Sequence, residues 1–121
     1  MRALTQAEGG ESGEIELGQI SAADSILIHT RNSEYRFSIV DPVQRRGILS
    51  GGTFGDYLHD ATLIGALIPG SDLGDGDTSW LRTNSRALFY VRAESGIRRF
   101  TTSIITRLIH IKNGGDSNGI D

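Results

Sequence analysis

A chain of 121 residues, 37% of them apolar, is the size of one domain and can bury a core without covalent or metal staples. It has no cysteine, which excludes a disulfide framework, thiolate metal ligation and a cysteine nucleophile, and its 16 Gly against 2 Pro suit turns and bulges better than a Pro-rich linker. The net charge of −3 is uneven: residues 1–23 sum to −3 and 113–121 to −2, while residues 24–112 sum to +2, a bias too weak to imply nucleic acid by itself.

Residues 1–13 are small and polar and read as a disordered tail, as do residues 113–121, leaving residues 14–112 as a single β domain. Glu14–Leu17 is a short entry strand or turn. Asp24–Arg31 holds Ile26, Leu27 and Ile28 in a row, the pattern of a strand covered on both faces. After an Asn32–Ser33 turn, Glu34–Val40 alternates strictly. Tyr35, Phe37 and Ile39 share one face, with Glu34, Arg36 and Ser38 on the other. Residues 24–40 therefore predict a hairpin.

Asp41–Pro42 interrupts the ladder, and Arg46–Ser50 forms a short strand ending at Gly51–Gly52. Residues 53–60 read as a loop. Ala61–Ile68 fits strand alternation, but Tyr57, Ala61, Ile64 and Ile68 also fall at helical spacing; Gly65 in the middle favours the strand. Pro69–Asp77 is a turn cluster. Thr78–Thr83 and Arg86–Arg92 are strands, the second apolar on both faces. Glu94-Ser95-Gly96 is a turn before Ile97–Thr102. Ile104–Ile111 is read as a strand because its β-branched residues lose side-chain freedom in a helix. The expected architecture is all-β: one small barrel or sandwich of about seven to nine short antiparallel strands.

Several residue groups could carry chemistry. Asp72, Asp75 and Asp77 lie in a Gly-rich loop and could hold a hard cation, but the EF-hand spacing fails: Thr83 and Arg86 stand where its closing Glu would be. A solvated turn explains the loop as well. Asp56, His59 and Asp60 could supply a general base oriented by a carboxylate, with Ser50 or Ser79 as nucleophile. No nucleophile elbow accompanies them, and ordinary surface or strand histidines, His29 and His110 among them, account for the pattern equally. Gly51-Gly52-Thr53-Phe54-Gly55 lacks the Gly-Lys-Ser/Thr ending of a phosphate loop and reads as a turn.

Eleven of the twelve cations are Arg, which suits planar, bidentate contact with carboxylates or phosphates. Arg31, Arg36, Arg45 and Arg46 cluster near Tyr35 and Phe37, the composition of a single-strand nucleic-acid groove. Strand alternation opposes that reading, since it turns both rings away from Arg36. The PilZ-type cyclic-dinucleotide pattern is excluded: Asp77-Thr78-Ser79 precedes the Arg82/Arg86 pair instead of following it, and Arg82 stands where its Gly belongs.

The run Thr30-Arg31-Asn32-Ser33-Glu34-Tyr35-Arg36-Phe37, with Gly51-Gly52 and Thr101-Thr102-Ser103, resembles uncharacterised short β-rich bacterial proteins of unknown function. The resemblance spans about residues 24–111 and implies no activity. The expectation is a non-enzymatic binding or self-assembly module, a homo-oligomer or protein binder without cofactor. The alternatives are a ligand sensor or enzyme using the Asp56–Asp60 loop, and a single-strand nucleic-acid binder. No apolar run is long enough to span a bilayer and no signal-like stretch opens the chain, so no membrane and a cytoplasmic location are expected.

Overall fold

A computed structural model describes residues 10–68 and 76–113. The fold is all-β; its only helical turns among the described residues are 3-10 turns at Leu17–Gln19 and Gly52–Phe54. The strands are β1 Gly10–Ser12, β2 Glu14–Glu16, β3 Ser25–Thr30, β4 Glu34–Asp41, β5 Arg46–Gly51, β6 His59–Leu67, β7 Gly76–Asp77, β8 Trp80–Arg82, β9 Arg86–Ala93, β10 Gly96–Thr101 and β11 Ile105–Ile111.

The main sheet runs β1-β11-β3-β4-β5-β6-β9-β10, with β7 added to the far end of β6; β2 and β8 form a separate ribbon. Every pairing is antiparallel. The predicted hairpin is β3–β4, with Ile28 opposite Tyr35 and Ile26 opposite Phe37. Residues 61–67 belong to a strand that starts earlier, at His59, ends before Ile68 and carries a register shift between Leu63 and Gly65. That bulge explains the mixed periodicity, because it breaks the alternation that a plain strand would show.

Inward-facing residues follow the pleat. Tyr35, Phe37 and Ile39 are all buried, as is Leu49 on β5. Phe37 stacks edge-on against Phe89 at 5.3 Å between centroids. β4 and β9 are three strands apart in the sheet, about 14 Å at the usual strand spacing if the sheet were flat. The ring contact therefore requires the sheet to curl over its own core. Among the described residues the ladder does not close between β10 and β1, which fits a sandwich or an open barrel. The β2–β8 ribbon adds Ile15 and Leu81 to the core, and the 3-10 turn after β2 adds Leu17 with the adjoining Ile20. Asn84 N–H donates to the Ile105 carbonyl at 2.9 Å and Ile105 N–H to the Ser85 carbonyl at 2.8 Å, stitching the β8–β9 turn to the start of β11.

Two glycines are required by close approach. A Cβ at Gly47 would lie 2.2 Å from the Ser38 carbonyl oxygen, so only hydrogen fits where β5 crosses Phe37. At Gly52, with φ +49, a Cβ would meet the Tyr35 ring at 2.1 Å.

Described residues within both stretches expected as tails make contacts with the body. Gly10–Ser12 is a strand, opposite Leu108–His110 of β11, and Arg107 bonds Glu11 at 3.1 Å. β11 is apolar enough at Leu108 and Ile109 to take a partner on its second edge, and polar composition did not prevent pairing. At the other end Asn113 N–H donates to Asp24 at 2.9 Å. Among the described residues, structure thus includes Gly10–Ser12 and Asn113 as well as the expected body.

Candidate binding face

The outer face of the curled sheet is built by the residues that alternate with the core. Cross-strand registers place Arg46, Thr62, Tyr90 and Arg99 in one row across β5, β6, β9 and β10. The next row holds Ile48 opposite Asp60 and Arg92 opposite Ile97. Arg36, opposite Ser50, extends the same face onto β4. A hollow of about 230 Å³ is bounded by Val40, Arg46, Ile48 and Asp60. A smaller depression of about 40 Å³ continues from Arg46 and Asp60 to Tyr90, Arg92 and Ile97.

The chemistry of this face is unbalanced. Arg82 pairs with Glu14 and Arg107 with Glu11; Arg45 donates to the Thr78 carbonyl, Arg86 to the Thr102 carbonyl and Arg98 to Ser95. Arg36, Arg46, Arg92 and Arg99 have no ion pair or hydrogen bond with any described residue. Arg31, in the β3–β4 turn, has none either, but these four stand on the outer face. The carboxylates that adjoin them are Asp60, Asp41 opposite Arg46, and Glu34 two residues from Arg36; Asp41 accepts from the Val43 and Gln44 amides, Glu34 approaches His29, and none makes an ion pair with these four arginines. Tyr90 is 44% and Ile97 64% exposed, so Arg46, Arg92 and Arg99 flank an aromatic and an aliphatic side chain. Arg92 and Arg99 sit diagonally across β9–β10, roughly 7 Å apart. Two like charges so placed repel, a cost that a bound anion reverses.

The sequence-predicted candidates separate in three dimensions. His59 opens β6 facing inward, where its ring packs on Phe54 at 4.9 Å; Asp60, the next residue, faces outward. Asp56 is exposed in the turn before them. Alternation thus sends His59 and Asp60 to opposite faces, and the expected base–carboxylate pair does not assemble. Of the Arg31, Arg36, Arg45 and Arg46 group, only Arg36 and Arg46 share a face. Arg31 lies in the β3–β4 turn and Arg45, at φ +58, in the β4–β5 turn at the other end of β4. Asp72 and Asp75 lie outside the described residues, and Asp77 ends β7 opposite Ala66. Among the described residues no group of three metal-ligating side chains converges. Tyr90, Arg92, Ile97 and Arg99 were not singled out in the sequence. Their alternation was visible, but their convergence with Arg46 depends on the order of the strands.

A second constellation joins the chain ends. Asp24 is buried just before β3, and its carboxylate accepts hydrogen bonds from Ser21 N–H at 3.0 Å and Asn113 N–H at 2.9 Å. His110 Nε2 on β11 lies 2.8 Å from Asp24 Oδ2. Burial by itself pushes the Asp24 carboxyl up. The Asn113 amide, the His110 ring and the Ser21 amide outweigh that effect and hold it below the ordinary carboxylate range. The geometry suits a pin: both carboxylate oxygens are engaged, by the segment before β3 and by the end of β11 with the residue beyond it. His29 approaches Glu34 at 3.9 Å across β3–β4, an ordinary surface pairing.

Among the described residues no helix is long and apolar enough to cross a membrane. Comparison with protein-family models, with curated proteins and with solved structures found no match.

Proposed function

We propose that this chain is a binding module, without catalytic chemistry of its own, that holds an anionic partner on the outer face of β5, β6, β9 and β10. The supporting observation is the placement of Arg36, Arg46, Arg92 and Arg99. None of the four has a described partner; Arg46, Arg92 and Arg99 flank the exposed Tyr90 and Ile97, and Arg36 stands farther along the same face on β4. Arg in such a setting presents planar donors to carboxylate or phosphate, while Tyr supplies rigid contact area at low entropic cost. The shallow, open form of the depression suits a surface contact more than an enclosed small ligand.

Titration of the 15N-labelled protein with poly-glutamate at low salt tests the reading. Amide shift changes should concentrate on β5, β6, β9 and β10 around Tyr90. The Arg46→Ala/Arg92→Ala variant should lose most of the affinity, and added salt should weaken what remains. Shift changes spread over the β3–β11 side, or an unaltered response in the double variant, would remove this face from consideration. Sedimentation of the free protein decides the related possibility of self-association through the same surface: a concentration-dependent dimer abolished by Ile97→Glu would assign the face to a second copy.

A further inference from the structure

We infer that β10 is an acceptor edge for an extended acidic segment of a partner protein, which adds to the sheet as one more antiparallel strand. The inference rests on the reading of the outer face as an anion-binding surface, and it names the partner's conformation and sequence chemistry.

The first observation is the free ladder. β10 is the last strand of the sheet and pairs only with β9, in unbroken register from Gly96 opposite Ala93 to Thr101 opposite Leu88. Thr102 N–H donates to the Ala87 carbonyl at 3.0 Å. In an antiparallel ladder hydrogen-bonded and non-hydrogen-bonded pairs alternate. Arg98 and Phe100 therefore bond inward to β9, while Ile97, Arg99 and Thr101 turn their N–H and C=O groups outward. No described strand meets those groups.

The second observation is what guards this edge. Natural edge strands are blunted by a bulge, a proline, a cover or charge. The β9–β10 pairing has no register shift, and β10 contains no proline. Charge remains: Arg98 and Arg99 on opposite faces, with Arg92 diagonal to Arg99. In a second copy of β10 docked antiparallel, Arg would face Arg, and like charges directly opposite destabilise a sheet. The same residues favour an acidic strand, whose side chains would meet Arg98 on one face and Arg99 with Arg92 on the other. Ile97 is 64% exposed and shares the outer face with Arg99, two positions away. The register then specifies the ligand: acidic residues opposite Arg99 and Arg98, followed by an apolar residue opposite Ile97. Main-chain hydrogen bonds supply affinity and these alternating contacts supply specificity, the mode known as β-augmentation.

The test titrates the full chain with acetylated, amidated Thr-Val-Glu-Glu-Val-Thr. Binding should slow amide exchange at Ile97, Arg99 and Thr101 and leave Arg98 and Phe100 as they were. Ile97→Pro removes an outward N–H that β9 does not use, and should weaken binding about tenfold while the remaining amide spectrum keeps its native dispersion. A peptide N-methylated at alternate residues should lose binding to the unaltered protein, which keeps the test independent of any variant's folding. Arg99→Glu should weaken the Glu peptide and admit its Lys-Lys counterpart. If the peptide or oligothymidylate binds the outer face with no protection at Ile97 and Arg99, strand addition is wrong and the anion-binding face stands. If neither ligand binds and poly-glutamate also fails, both readings fall together.

Discussion

Asp24 is a carboxylate taken out of water and held by three donors from two distant parts of the chain. Its folded pKa lies below the ordinary value of 3.8. Its stabilising contribution is therefore fully present above about pH 4 and is lost as pH falls through the lower, folded value. Asp24→Asn replaces two acceptor oxygens with one and should cost about 1–3 kcal/mol at neutral pH. Urea melts of both proteins across the acid range should converge once the wild-type carboxyl is protonated; a constant gap down to pH about 2 would contradict the assignment. Gly52 carries a different constraint. At φ +49 and with the Tyr35 ring 2.1 Å from a would-be Cβ, Gly52→Ala is expected to lose about 1–3 kcal/mol, read as a lowered denaturant midpoint at unchanged slope.

Strand β9 shows how one element divides structure from recognition. Phe89 is fully buried against Phe37, whereas its neighbour Tyr90 turns outward. Phe89→Ala should destabilise by about 3–5 kcal/mol through the cavity it leaves. Tyr90→Ala should change stability by about 1 kcal/mol or less and yet weaken poly-glutamate binding several-fold. Equal losses of stability in the two variants would show that Tyr90 belongs to the core. β6 provides the complementary lesson. Strand and helix periodicities overlapped across residues 61–68, and the bulge between Leu63 and Gly65 is the physical source of that overlap, since it places Gly65 and Ala66 on the buried side in succession. β1 was hidden altogether: a short polar segment gives no periodic signal, and pairing with β11 alone orders it.

At the scale of the molecule, the net charge of −3 conceals an Arg-bearing face on an otherwise acidic chain. Anion binding should therefore be local and steeply salt-dependent, and Arg92→Ala or Arg99→Ala should flatten the dependence of log Kd on log salt, measured by anisotropy of a labelled poly-glutamate. Local pattern determined the all-β class, the β3–β4 hairpin and the inward aim of Tyr35 and Phe37, because side-chain alternation is a property of each strand by itself. It also opposed nucleic-acid stacking on those two rings, which are buried. Only the tertiary structure decided that His59 and Asp60 part company across β6, that Arg36 and Arg46 stand without Arg31 and Arg45, and that Tyr90 and Arg99 align with Arg46. Those outcomes depend on strand order and register. Pairings between residues far apart in the chain set both, and no short window of sequence contains them.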